Sequence, residues 1–122
     1  MANGKVLLIE DNPLNMELAV DLLELGGHEV LTATTAEEGI ELAQKEIPDL
    51  ILMDISLPGM DGLEATRILK KDEKLKDIPI VAMSAHAMKG DKEKAMEAGC
   101  VGYITKPIDT KSFVESVKEF RK

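Results

Sequence analysis

Residues Leu50, Ile51, Leu52 and Met53 are apolar without a break, and the run stops at a carboxylate, Asp54. A strand solvated on one face alternates apolar with polar side chains, so an unbroken run of this length calls for cover on both faces, as in a parallel sheet flanked by helices. Asp54 then stands at the carboxyl end of a buried strand, the edge at which open α/β sheets bind ligands. Pro58-Gly59 marks a turn, and Asp61, three residues before Glu64, is placed to cap a new helix.

The same pattern recurs along the chain. Residues 5–10, KVLLIE, read as a buried first strand that also ends in acid, Glu10-Asp11. Asn12 is placed to cap a helix with Pro13 in its first turn, burying Leu14, Leu18, Leu22 and Leu25 and stopping at Gly26-Gly27. His28 to Ala33 is a weaker run suited to a strand near a sheet edge. Thr35 and Glu38 form a capping box for a second helix with Ile40, Ala43 and Ile47 inward, ending before Pro48. After Asp61 a third helix turns Ala65, Ile68 and Leu69 inward, and a charged stretch, KKDEKLKD, reads as surface. IVAMSA after Pro79 is a fourth apolar run; a Lys- and Glu-rich helix with a poor apolar stripe spans 88–98, and Val101 to Thr105 is a fifth strand. Lys106-Pro107 follows, then a helix capped by Asp109, stapled by Ile108 and Phe113, with Phe113, Val117 and Phe120 on its buried stripe. Five strand signals alternating with five helix signals predict a doubly wound α/β fold, strand order 2-1-3-4-5, with its switch point between the first and third strands.

Length and composition restrict the function classes. A chain of 122 residues suits one domain able to bury a core without disulfides or a structural metal, and no apolar run approaches the ~20 residues that span a membrane or forms an export signal. The expectation is a cytoplasmic protein with no membrane partner. A net charge of −8 repels phosphate backbones, so direct nucleic-acid binding is not expected. Cys100, the single cysteine, reads as a small packed residue rather than a metal ligand, and Tyr103, the single tyrosine, calls for a reason to be there.

Taken singly, Glu10, Asp11, Asp54, Ser84 and Lys106 each pass for a cap, a solvated strand end or a surface residue. Their positions together say more: the ends of strands one, three, four and five bring acid, acid, hydroxyl and lysine to one rim. Crowded carboxylates repel by up to ~4 kcal/mol per pair at about 4 Å with an effective dielectric near 20, and a divalent cation relieves this. Mg²⁺, which favours one or two carboxylates, water and phosphate oxygens, suits the cluster. A carboxylate is also a competent nucleophile toward phosphorus, with lysine and hydroxyl donors to the transferring oxygens.

These residues resemble, over the whole chain, the receiver domain of bacterial two-component response regulators. The resemblance rests on Glu10-Asp11, on Asp54 within LILMDISLPGMDG, on Ser84-Ala85 and on Lys106-Pro107. It implies a flavodoxin-like (βα)₅ fold, one receiver domain over 1–122 and no output domain. It further implies a phosphoacceptor Asp54; Mg²⁺ held principally by Asp11, with Asp54, the carbonyl of Ser56 and Glu10, the last acting directly or through water; and Lys106 and Ser84 contacting the phosphoryl group. Tyr103 would turn inward as Ser84 moves, and the Lys106-Pro107 bond would be cis. The implied partners are a histidine kinase or histidine phosphotransfer protein docking near Leu14, Asn15 and Pro107. A downstream protein would meet the face of the fourth helix, fifth strand and fifth helix. The implied state is a monomer, open to dimerisation on phosphorylation. The motifs DNPLN and MSAHAMKGD are similar to those of DivK-type single-domain regulators and of hybrid-kinase receivers.

By this resemblance the chain is a switch rather than a metabolic enzyme. Ser56 and His86 stand where receivers tune dephosphorylation, and Ser84 stands where threonine is also frequent. The alternatives are a receiver excised from a hybrid histidine kinase, an aspartyl-phosphate phosphatase and a flavodoxin-like cofactor binder. The phosphatase needs a second aspartate two residues after the first, where this chain has Ser56. The cofactor binder needs a Gly- or Ser/Thr-rich phosphate loop, where this chain has Asn12-Pro13-Leu14.

Overall fold

In the computed structural model the described residues are 4–55, 62–84, 91–105, 113–115, 117 and 119. The elements run β1 (Lys5–Ile9), α1 (Pro13–Leu25), β2 (Glu29–Ala33), α2 (Ala36–Glu46), β3 (Leu50–Asp54), α3 (Gly62–Lys71), β4 (Ile80–Ser84), α4 (Asp91–Ala98) and β5 (Gly102–Thr105). Phe113, Val114, Glu115, Val117 and Glu119 are helical and belong to a last helix. The strands form one parallel sheet ordered β2-β1-β3-β4-β5, as the alternation predicts.

The unbroken apolar runs are explained by what covers the sheet. Side chains alternate faces along a strand. Leu7, Ile9, Ile51, Met53, Ile80 and Ala82 pack with Ala36 and Ala43 of α2, Ala65 and Leu69 of α3 and Ala95 of α4. Val6, Leu8, Leu50, Leu52, Val81 and Met83 pack on the opposite face with Ala19, Leu22 and Leu23 of α1 and Phe113 and Val117 of the last helix. β3 and β4 are buried at every position, whereas β2, at the edge, is exposed at Glu29 and Thr32.

The helix starts follow local chemistry. The Asn12 side chain accepts from the N–H groups of Leu14 (3.0 Å) and Asn15 (3.1 Å), and Pro13 occupies the first turn, where its missing N–H costs nothing. Thr35 Oγ1 accepts from the Glu38 N–H at 3.1 Å, and Glu38 reaches back to the N–H of Thr34 at 2.9 Å, one residue beyond the reciprocal partner of an ideal capping box.

Four packing assignments differ from the sequence reading. In α1 the sheet is met by Ala19, Leu22 and Leu23, with Met16 and Val20 partly buried, while Leu14 and Leu25 are 77% and 84% exposed. The segment carries two overlapping leucine-rich stripes, and the one containing the small Ala19 lies closest to the strands. Ile47 is not the end of an apolar stripe but the left-handed cap of α2, with φ 47° and 44% exposure. In α3 the inward side chain beside Ala65 and Leu69 is Thr66, fully buried, rather than Ile68. The charged stretch after α3 is not wholly surface: Leu75 and Ile78 are buried within it, and Lys70 Nζ donates to the carbonyls of Lys76 (3.0 Å) and Ile78 (2.8 Å). α4 is described from Asp91 and β5 from Gly102, and Ile108, Asp109 and Phe120 lie outside the described residues. No helix among the described residues is long and apolar enough to cross a membrane.

Two outcomes follow from this packing. A β-branched residue in the left-handed region carries a penalty of roughly 1–2 kcal/mol that glycine avoids. In urea titrations Ile47→Gly is therefore more stable than Ile47→Ala by about 1 kcal/mol after the entropy of the unfolded chain is counted, since both lose the partly buried branched chain and only glycine escapes the left-handed penalty. Burial pushes the Cys100 thiol above its ordinary 9.0, against the opposing Thr66 hydroxyl and Lys70 ammonium. Above pH 9.0 the unfolded chain releases this proton while the folded chain keeps it, so the group's contribution to stability falls as pH rises. Urea titrations of Cys100→Ala across pH 8 to 10 then show a shallower alkaline loss of stability than the parent.

Candidate functional site

β1 and β3 are hydrogen-bonded neighbours, with Ile9 in register with Met53, so the residues that follow, Glu10 and Asp54, emerge side by side. Glu10 is 1% exposed and Asp54 2%, whereas Asp11, at the turn into α1, is exposed. One ligand oxygen from each of Glu10, Asp11 and Asp54 lies within 4.8 Å of the others.

The backbone fixes this arrangement from both sides. The Glu10 N–H donates to the carbonyl of Ala33 on β2 at 3.0 Å, and Glu10 Oε2 accepts from the Asn12 N–H at 3.1 Å, tying the carboxylate to the turn that starts α1. On the other strand the N–H of Ile55 donates to the carbonyl of Met83 at 3.0 Å, which locks the end of β3 to β4. Asp54 is in register with Met83, so Ser84, 1% exposed, stands one residue further along the same rim. Tyr103 lies on β5 in register with Ala82 and is partly buried against the core on the α3 and α4 side.

The sequence-predicted residues thus divide into groups. Glu10, Asp11 and Asp54 form one cluster. Ser84 stands at the end of β4 and Tyr103 on β5. Leu14 and Asn15 occupy the first turn of α1, with Leu14 pointing to solvent. Ser56, His86, Lys106 and Pro107, and with them the cis peptide, lie outside the described residues. Sequence reasoning did not single out Gly62, the first residue of α3. A Cβ added there would lie 2.6 Å from the carbonyl oxygen of Asp54 and 2.6 Å from the Cα of Ile55. The available signal was a glycine at a helix start soon after a strand-end acid, a place where backbones can approach closely.

The chemistry of the cluster is that of a hard-cation site. Its donors are all carboxylate oxygens, two buried and one facing water, and mutual repulsion in so small a space is relieved by a bound divalent cation. Mg²⁺ fits this donor set, with Glu10, Asp11 and Asp54 the residues that would hold it. An open groove between the start of α1 and the end of β2, lined by Asp11, Pro13, Met16, Glu17, Thr32 and Thr34, also borders Glu10.

Comparison with known proteins agrees with this geometry. Residues 6–118 match the family model of the response regulator receiver domain. The polar-differentiation response regulator DivK of Brucella ovis is 48% identical over 115 residues, covering 94% of each chain, and that of Brucella anthropi is 47% identical over the same span. Among solved structures, the receiver domain of the sensor histidine kinase PA1611 from Pseudomonas aeruginosa, described with magnesium coordinated in its active-site cleft, superposes with a TM-score of 0.90 at 32% identity over 98% of both chains. The chemotaxis response regulator CheY4 of Vibrio cholerae does so with a TM-score of 0.90 at 26% identity, again over 98% of both chains. The chain belongs to the response regulator receiver family, the signalling switches of two-component systems.

Proposed function

We propose that Asp54 is the phosphoacceptor of a stand-alone receiver charged by a histidine kinase or histidine phosphotransfer protein. The observation that carries the reading is the buried Asp54 at the end of β3 beside Glu10 and Asp11. In the transfer, an Asp54 carboxylate oxygen attacks phosphorus, the bond from phosphorus to the donor imidazole nitrogen breaks, and an acyl phosphate forms while the imidazole leaves with a proton. Mg²⁺ held by Asp11, Asp54, the Ser56 carbonyl and Glu10 would supply neutralising charge for the phosphoryl oxygens. Lys106 and the Ser84 hydroxyl would donate to the same oxygens.

The position of Ser84 beside Asp54, with Tyr103 on the next strand, supports a readout in which Ser84 moves toward the phosphoryl group and Tyr103 follows inward. The face made by α4, β5 and the last helix then meets a downstream protein. The exposed Leu14 and neighbouring Asn15 on α1, with Pro107, form the docking point for the upstream partner. The match to the DivK relatives over 94% of their length supports the single-domain regulator as the first reading; that reading includes a cytoplasmic monomer able to dimerise when phosphorylated. A receiver belonging to a hybrid kinase is the second reading, favoured by the likeness to the PA1611 receiver. In both readings the protein assists its own phosphoryl transfer but turns over no metabolite.

Incubation with phosphoramidate tests the assignment by intact mass. One hydroxylamine-labile phosphoryl group appears with Mg²⁺, is absent without it and is absent in Asp54→Asn; labelling that persists in that variant overturns the assignment. Metal binding is checked separately by calorimetry. Asp11→Asn weakens Mg²⁺ binding by at least about tenfold, since it removes a full charge from a hard-cation site. Unchanged affinity would remove Asp11 from the ligand set.

A further inference from the structure

We infer that Gly62 and Thr66 are positioning residues for Asp54: they hold the end of β3 against the first turn of α3 and tie that turn to the α4–β5 corner at Cys100. The inference rests on the reading of Asp54 as phosphoacceptor. Neither residue is among the acids and hydroxyl at the strand ends.

The first half is a matter of space. Gly62 is buried, and an added Cβ would collide with the Asp54 carbonyl oxygen and the Ile55 Cα at 2.6 Å each, and would press on the Met53 side chain at 3.0 Å. Two of those three neighbours are main-chain atoms, which cannot swing away as a side-chain end can. Gly62 is not among the residues with positive φ, so what requires glycine is close approach rather than backbone conformation. The helix start therefore abuts the peptide unit that carries Asp54, on the side opposite the bond from Ile55 N–H to Met83.

The second half is a hydroxyl. Thr66 is fully buried, and its Oγ1 donates to the Gly62 carbonyl at 2.7 Å. The same oxygen lies 3.9 Å from Cys100 Sγ, itself 4% exposed. Cys100 is fixed in turn: its N–H donates to the Ala95 carbonyl of α4 at 3.0 Å, and the next N–H, of Val101, donates to Ile80 of β4 at 2.8 Å. A threonine hydroxyl bonding back along its own helix slightly destabilises and bends it, so packing alone favours valine of similar shape. The hydroxyl has a use if it sets the pitch of the first turn of α3 and passes a shift of that turn to the corner where α4 meets β5.

Thr66→Val and Thr66→Ser decide the matter, because the Gly62 carbonyl keeps its helical N–H donor in both. Thr66→Val is expected to slow Mg²⁺-dependent phosphorylation by phosphoramidate about fivefold, the loss of one buried hydrogen bond, and to weaken Mg²⁺ binding. Thr66→Ser stays within about twofold of the parent in both. Parental behaviour of Thr66→Val, or equal impairment of Thr66→Ser, overturns the inference. A second measurement needs no variant. When Mg²⁺ is titrated into the parent chain, the amide resonances of Gly62, Thr66 and Cys100 move with the midpoint of Asp54, whereas Ala43 on α2 stays still. Thr66 and Cys100 unmoved at saturation overturn the inference even if Thr66→Val fails to fold. If the parent takes no phosphoryl group while the resonances move together, the phosphoacceptor reading fails and the positioning role stands.

Discussion

Burial of the sheet on both faces is the constraint on which everything else in this molecule depends. With α2, α3 and α4 covering one face and α1 and the last helix the other, the middle of each central strand has room only for apolar side chains. Polar groups are confined to the strand ends, and the parallel arrangement sends every carboxyl end to the same rim. Glu10 and Asp54 are brought together at 1% and 2% exposure by strand register, not by any attraction between them. Two carboxylates about 4 Å apart repel by up to ~4 kcal/mol with an effective dielectric near 20, and a cation bound between them relieves it. Register, rather than a bound ligand, therefore sets where Glu10 and Asp54 stand, beside the exposed Asp11.

That constraint also explains what was legible in the sequence. Strands buried on both faces leave a plain signature, so all five strands, their order and the convergence of Glu10, Asp11, Asp54 and Ser84 could be read from apolar runs and the residues that end them. Helix faces were less legible. In α1 the leucines at 14, 18 and 25 share helical spacing with Leu22, yet the sheet takes the stripe containing Ala19 and Leu23. Periodicity finds an apolar stripe but cannot rank two that overlap. Leu75 was hidden among lysines and acids, because burial of one side chain in a turn has no period. Thr66 and Gly62 were missed for a different reason. Their importance lies in what a missing Cβ and a buried hydroxyl touch across the fold, which local sequence does not encode.

The helices differ in how firmly they are held. Among the described side chains, α4 buries only Ala95 and Ala98, while α1 buries Leu22 and Leu23 and α3 buries Leu69. Hydrophobic stabilisation scales with apolar area, at ~25 cal/mol per Å², so two alanines contribute far less than two leucines. Among the described side chains α4 thus contributes less apolar burial than α1 or α3, and it ends at the corner where Cys100 meets Thr66.

A weakly anchored helix lowers the energy a switch requires. Converting a 1:99 population into 99:1 takes about 5.5 kcal/mol of differential interaction. Hydrogen bonds to a charged group supply about 1.5–3 kcal/mol each, so two or three new donors to a phosphoryl group on Asp54 reach that figure only if the rearrangement they drive is cheap. Dislodging α1 would expose Leu22 and Leu23, whereas shifting α4 exposes alanines and redirects main-chain bonds at one corner. The low apolar content of α4, which looks like a defect in a helix judged for stability, makes a shift of α4 cheaper than one of α1, and α4 packs beside β5, the strand that carries Tyr103. On the proposed reading of Asp54 as phosphoacceptor, a phosphoryl group at one rim is read on the outer surface through α4 without unfolding the sheet between them.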